Sequence, residues 1–332
     1  MNADVFAASQ ELKGGGVVVL PTETVYGLAA NALDAEAVKK IFAIKGRPLN
    51  DPLILHVLDI SWLERYTHVE KFLPRIEKIT ETFWPGPITI ILPKKEIIPD
   101  IVTAGFSTVA VRCPDHPTFR AVLKASNLPL AAPSANPFGY VSPTRIGQVK
   151  ATLGDKVKIM LDGGECSVGL ESTILDITCP TPRILRPGAI TADAISKVLE
   201  EDVVDYDVQI VSQNPNAPGQ LKQHYCTNTR LVLFEHGHRE FSQYFAKKKA
   251  IVFMQRPNNP DEIAKKLQLP AEDIFWLSYD GNLDVVARNL FSTLQYLDSA
   301  QYDTILCERP PREGIGIAID DRLLRAAAKF NG

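Results

Sequence analysis

The sequence predicts an α/β protein: a larger domain on a mixed, twisted sheet, then a linker, then a smaller α/β domain. Three observations carry this. Over the first two hundred residues short apolar runs alternate with segments of helical spacing, and several of the runs end in Pro. From Asp207 to Arg230 the pattern lapses into "DVQIVSQNPNAPGQLKQHYCTNTR", rich in Asn, Gln, Pro and Gly. Beyond it, strand and helix patterns resume over roughly a hundred residues, an ordinary domain size. The expected divisions are 1–206, 207–230 and 231–332.

The elements follow in order. "GVVVLP" is a strand, and "DAEAVKKIFAIK" is a helix with Asp34 as its N-cap. In that helix Val38, Ile41 and Phe42 fall seven, four and three positions before Lys45, so Lys45 continues the stripe that should be buried. An ammonium there is costly unless something anionic waits for it. The bland reading is a basic last turn closed by Gly46, which offsets the helix dipole. "PLILHV" is the next strand and "VEKFLPRIEKITETFW" the next helix. "PITIILP", "STVAVRCP" and "LPLAAPS" are strands, with the helix "HPTFRAVLKAS" between the last two. "KIMLDGG", "STILDIT" and "RILRPG" complete the strands of the first domain before the helix "TADAISKVLEE". The second domain reads "KKKAIVFMQ", "DIFWLSY" and "YDTILCER" as strands, alternating with three helical stretches.

Bulk properties narrow the class. Hydrophobic residues make up 45% and charged residues 23% of the 332, as in soluble globular proteins. "MNADVFAASQELKGGG" does not read as a secretory signal, and no apolar run is long enough to span a bilayer. Cys113, Cys166, Cys179, Cys226 and Cys307 are scattered without a C-x-x-C pair, which argues for reduced thiols in a cytosol and against a structural zinc. Net charge is −3, and residues 1–200 hold 21 basic and 21 acidic side chains, so any anion site must be a local cluster.

Such clusters are visible at strand and helix ends. Lys45 and Arg47 close the first helix, His56 ends "PLILH", Arg112 ends "STVAVR", and Arg186 ends "RILR". Hydroxyl and amide groups follow other strands: Thr22 and Thr24, Ser134 and Asn136, Ser142 and Thr144, Ser172 and Thr173. Each alone reads as a turn. Together they suit a polyanion bound by many donors at the strand ends of an open α/β sheet. Glu23, Asp51 and Glu171 are the carboxylates within these motifs, able to hold Mg²⁺ or to orient cations. Walker, dinucleotide, nucleophile-elbow and zinc-helix motifs are missing.

The stretches "LPTETVYGLAANA", "IFAIKGRPLNDPLILHV", "WPGPITIIL", "TVAVRCPDHP", "APSANPFGYVSPT", "GLESTILDI" and "ILRPGAI" together resemble the threonylcarbamoyl-AMP synthase family. The likeness is to its long form, a YrdC-like domain with helices around a concave cleft, followed by a smaller Rossmann-like α/β domain. The resemblance implies condensation of L-threonine, bicarbonate and ATP to threonylcarbamoyl-adenylate and pyrophosphate, with Mg²⁺ on the phosphates. The product would pass to a tRNA threonylcarbamoyl transferase, in the cytoplasm and away from membranes, with a weak RNA contact left open. It also implies roles. Lys45 and Arg47 with Ser134 and Asn136 would form the nucleotide site, joined by Asp51, Thr108, Ser142, Arg186 and the linker's Tyr225. Thr24, His56, Arg112, Ala132 (through its backbone) and Ser172 would hold threonine. His224 and Tyr225 would close as a lid. Two positions depart from the family pattern: Asp51 stands where Asn is usual, and Cys226-Thr227 where Ala-Pro is expected. The rival reading is a non-catalytic module for double-stranded RNA or tRNA, which the neutral charge count of the first domain disfavours.

Overall fold

The computed structural model describes residues 2–206, 224–235 and 248–330. The chain divides into two units, Met1–Phe138 with Ser142–Leu221 and Gly139–Val141 with Lys222–Gly332. Residues 207–223 of the expected linker lie outside the described residues, whereas 224–230 fall in the second unit.

In the first unit, nine strands form one mixed sheet. They are β1 (Val18–Leu20), β2 (Gly27–Asn31), β3 (Ile54–His56), β4 (Ile88–Pro93), β5 (Thr108–Arg112), β6 (Leu130–Ala131), β7 (Ile159–Met160), β8 (Thr173–Asp176) and β9 (Arg183–Arg186). Across the sheet the order is β7-β1-β2-β6-β3-β5-β4-β8-β9. The helices are α1 (Ala3–Lys13), α2 (Ala35–Lys45), α3 (Leu63–Tyr66), α4 (Leu73–Phe83), α5 (Asp100–Thr103), α6 (Pro117–Ser126), α7 (Ile146–Leu153) and α8 (Ala192–Leu199). The sequence pattern does not announce β2. Its Gly and Ala residues are poor strand formers, and antiparallel pairing to β1 and β6 holds them extended.

Alternation along the strands gives the sheet two faces. Val19, Leu28, Ala30 and Leu55 point into the main core with Val38 and Ile41 of α2 and Ile76 and Ile79 of α4. Val18, Leu20, Ala29 and Leu130 point the other way, against Val5 and Leu12 of α1 and Phe119 and Val122 of α6. Further along the sheet a small apolar patch gathers Ile54, Ile91, Ala110, Ile174 and Leu185. Two residues from four of these the chain turns polar, at His56, Thr89, Arg112 and Ser172. Register aligns His56 with Arg112 and Arg112 with Thr89, so the period of two sets these groups in one row at the end of the apolar patch.

In the second unit, β10 (Arg230–Phe234), β11 (Lys249–Gln255), β12 (Ile274–Ser278) and β13 (Thr304–Glu308) form a parallel sheet in the order β10-β13-β11-β12. Its helices are α9 (Pro260–Leu267), α10 (Leu283–Ser299) and α11 (Gly316–Ala327). The strands read as apolar runs because such a sheet is covered on both faces. β10, four apolar residues after Arg230 and behind a polar stretch, is not legible from its own sequence; pairing with β13 makes it a strand. Gly139–Val141 belongs to this unit. Cys226 N donates to the Gly139 carbonyl (2.7 Å), the Tyr140 hydroxyl to Asp298 Oδ2 (2.7 Å), and Gln295 Nε2 to the Val141 carbonyl (2.9 Å). No described helix is long and apolar enough to cross a membrane.

His56 makes the first unit sensitive to acid. It is 2% exposed, its ring centroid lies 5.2 Å from that of Phe119, and Nδ1 is 3.2 Å from the Ile54 carbonyl. Burial, and then the neighbouring Arg112, push its pKa down from 6.5 to about 3. As pH falls below about 6.5 the unfolded chain takes up a proton that the folded chain refuses until near 3. Stability is therefore lost across that window, at a slope approaching about 1.4 kcal/mol per pH unit. Urea melts at pH 7, 6 and 5 should show this loss in the wild type and a flatter profile in His56→Gln. Equal slopes would mean that the folded state accepts the proton.

Candidate active site

Lys45 sits where its helix ends. α2 begins with the Asp34 carboxylate accepting the Glu36 and Ala37 amides, and it buries Val38, Ile41, Phe42 and Lys45 on one side. It stops at Gly46, whose φ of 64° is the left-handed conformation that a residue with a Cβ adopts at a cost. The Lys45 ammonium donates to the carbonyls of Ser134 (2.5 Å) and Asn136 (2.6 Å), and the Phe138 amide returns to the Lys45 carbonyl (2.7 Å). The compensation is thus two carbonyl dipoles, with Asp51 and Glu171 supplying the negative field. Burial and then Arg47 hold the Lys45 pKa well below the usual lysine range, while Asp51 and Glu171 oppose them.

Arg47 follows the cap. Its guanidinium donates to the carbonyls of Asp51 (3.1 Å) and Pro52 (2.8 Å), and Nη2 lies 2.9 Å from Asp51 Oδ2. Asp51 is fully buried, and that ion contact lacks hydrogen-bond geometry, so among the described residues neither carboxylate oxygen receives a directed bond. Burial raises its pKa, against the fields of Arg47, Lys45 and Arg186. Arg47 is thus the cation paired with Asp51. Ser142 Oγ donates to Glu171 Oε1 at 2.6 Å. Arg186 donates through Nε and Nη2 to the Ser172 carbonyl (3.1 and 2.9 Å) and through Nη2 to Ser172 Oγ (3.1 Å). Gly188 allows the approach of these segments, because a Cβ there would lie 2.3 Å from the Thr173 nitrogen.

A second cluster forms around Arg112. Its Nη2 pairs with Glu23 Oε1 at 2.6 Å, and its Nε donates to the Gly86 carbonyl at 3.3 Å. The Ser172 and Thr89 hydroxyls meet at 2.7 Å, and those of Thr22 and Thr24 at 2.8 Å. The Ala132 amide donates to Ile54 (3.4 Å), which leaves its carbonyl as the backbone group it can offer a ligand. Cys166 is buried, and its thiol is pushed up to about 12 by burial and then by Glu23, so it stays protonated.

The fold brings most of the expected residues together. Lys45, Arg47, Asp51, Ser134, Asn136, Ser142 and Arg186 are linked by direct contacts or by mutual fields, with Glu171 among them. Thr108, at the opposite end of β5 from Arg112, shares a small recess with Pro52, the residue whose carbonyl takes Arg47. His56 and Arg112 are register partners. Tyr225 lies in the second unit, fully buried, its ring stacked on Phe291 at 5.5 Å and the Arg322 guanidinium carbon 5.3 Å from its centroid. The sequence gives no sign of Thr89 as the partner of Ser172, nor of the Gly86 carbonyl as a partner of Arg112. Both depend on how the ends of β4, β5 and β8 meet in the sheet.

This chemistry suits anions. One buried cluster offers an ammonium and two guanidiniums, the other a guanidinium beside a neutral imidazole. A family model described as "Telomere recombination" (Sua5_yciO_yrdC) matches residues 10–188, and one described as "Threonylcarbamoyl-AMP synthase, C-terminal domain" matches 190–328. The threonylcarbamoyl-AMP synthase of Pyrococcus abyssi is 37% identical, over 95% of this chain and 92% of the relative. That of Bacillus subtilis is 38% identical, over 96% and 92%. The crystal structure of P. abyssi Sua5 complexed with L-threonine superposes with a TM-score of 0.85 at 34% identity, covering 97% of this chain and 94% of that one. The chain therefore belongs to the threonylcarbamoyl-AMP synthase family, in its long two-domain form.

Proposed function

We propose that this chain condenses L-threonine, bicarbonate and ATP to threonylcarbamoyl-adenylate, releasing pyrophosphate, in the cytoplasm, and hands the product to a tRNA threonylcarbamoyl transferase. The observation that carries the reading is the Lys45 ammonium gripped by the Ser134 and Asn136 carbonyls beside Arg47 and Arg186. The names of its relatives and the threonine bound in P. abyssi Sua5 support the choice of substrates.

The chemical difficulty is repulsion among a triphosphate, bicarbonate and a carboxylate. Lys45, Arg47 and Arg186 would face the phosphates, joined by Ser134, Asn136, Ser142 and Thr108, and would stabilise charge moving onto pyrophosphate. Arg112 would take the threonine carboxylate. The neutral imidazole of His56, the Thr24 and Ser172 hydroxyls and the Ala132 carbonyl would orient its amine and hydroxyl. Bicarbonate takes up a proton and loses water to give carbon dioxide, the neutral amine attacks it and gives up a proton in forming the carbamate, and the carbamate oxygen attacks the α-phosphorus in line as pyrophosphate leaves. Positioning supplies most of the acceleration, so no protein nucleophile is required. Mg²⁺ would arrive on the ATP phosphates and neutralise part of their charge; Asp51, whose oxygens receive no directed bond, and Glu171 are the carboxylates present to meet it.

Pyrophosphate release from ATP should require both threonine and bicarbonate, and Lys45→Ala should lower it by roughly a hundredfold or more. Release without threonine would sink the substrate assignment, and no release at all would turn attention to RNA binding. A second expectation concerns pH. Because Asp51 raises the Lys45 pKa, Asp51→Asn should move the alkaline limb of kcat/KM to lower pH. An unmoved limb would mean that Lys45 does not set it.

A further inference from the structure

Glu23 takes no part in the reaction described, yet it is the acid most closely tied to the proposed threonine subsite. It lies between Thr22 and Thr24, in the turn after β1, and is 6% exposed. All three of its acceptor oxygens are engaged. Oε1 pairs with Arg112 Nη2 at 2.6 Å, Oε2 receives the Asp115 amide at 3.1 Å, and the main-chain carbonyl receives the Val168 amide at 2.8 Å. One residue thereby fastens the Thr22–Thr24 turn to the end of β5 and to the Gly-rich loop before Ser172.

Two physical consequences follow. A buried guanidinium without a counter-charge is strongly disfavoured, so Arg112 needs a partner before any ligand arrives. Its guanidinium is planar and rigid, so Glu23 on Nη2 and the Gly86 carbonyl on Nε fix the plane of the whole group. Arg112 is thus oriented in advance, and its charge is largely neutralised. A carboxylate bound there would be held by direction more than by net attraction.

We propose that Glu23 is a positioning residue for threonine: it acts through Arg112, aiming the guanidinium at the substrate carboxylate without itself touching the reacting atoms. This rests on the reading of Arg112 as the threonine carboxylate partner, and the experiment separates the two ideas.

Threonine and ATP kinetics would be measured on wild type, Glu23→Ala and Glu23→Gln, and on both changes in an Arg112→Lys background, with threonine binding to the wild type followed by calorimetry. Losing a charge-assisted bond that orients Arg112 should raise the KM for threonine roughly tenfold in Glu23→Ala, with the KM for ATP within about twofold. Glu23→Gln keeps an oxygen acceptor for Arg112 and should lose roughly threefold. In the Arg112→Lys background, Glu23→Ala should add less than about twofold, because the group through which it acts is gone. Should Glu23→Ala fail to fold, the Gln variant and its cycle decide the matter alone. Equal rises in both KM values, a fall in kcat alone, or a full Glu23 effect in the Arg112→Lys background would overturn the proposal. Absence of threonine binding by the wild type would instead overturn the proposed function.

Discussion

The first unit depends on how it accommodates one buried ammonium. Lys45 is 4% exposed on the apolar side of α2, and it is satisfied by two carbonyls 89 and 91 residues away in sequence. Those carbonyls belong to Ser134 and Asn136, in the turn after β6, so the bonds fix the end of α2 against the end of a central strand. Arg47 lies on the far side of Gly46, and the left-handed glycine lets the chain reverse so that both cations serve one cluster. Removing the ammonium would take a charged donor from both carbonyls and leave the cluster short of one positive charge.

The two clusters manage buried charge in different ways. Around Lys45 the cations outnumber the acids, and the near-neutral first half of the chain conceals this local excess. Asp51 shows the cost of the arrangement: burial pushes its carboxyl toward protonation, and three surrounding cations only partly oppose it. Around Arg112 the charge is balanced by Glu23, and the neighbouring His56 stays neutral because an imidazolium would be both buried and next to a guanidinium. A surplus of positive charge suits a triphosphate, and a balanced pair suits a single carboxylate.

Much of this was legible in the sequence. The i, i+3, i+4, i+7 spacing ending at Lys45 marks it as buried, and the position of each cation at a strand or helix end marks it as a candidate for an anion site. The joint run of motifs identifies the family. What the sequence could not supply is register. That Thr89 stands opposite Arg112 follows from a pairing which no local pattern encodes, and that Glu23 reaches Arg112 from the turn after β1 is equally invisible in the local sequence. β2 and β10 stayed hidden for a related reason, since their neighbours, more than their own residues, make them strands. Asp51 is a subtler case: its acid is visible, but its partner Arg47, four residues earlier, is brought to it only by the turn through Pro48.

The short segment Gly139–Val141 carries a consequence for how the protein is made. It is synthesised between Asn136 and Ser142, yet its hydrogen-bond partners are Cys226, Gln295 and Asp298. A ribosome must therefore complete about one hundred and sixty further residues before Tyr140 can meet Asp298. Until then, the stretch between Asn136 and Ser142 lacks these partners. The nascent first unit can build its sheet, but the closing of this loop is deferred to the last stage of translation.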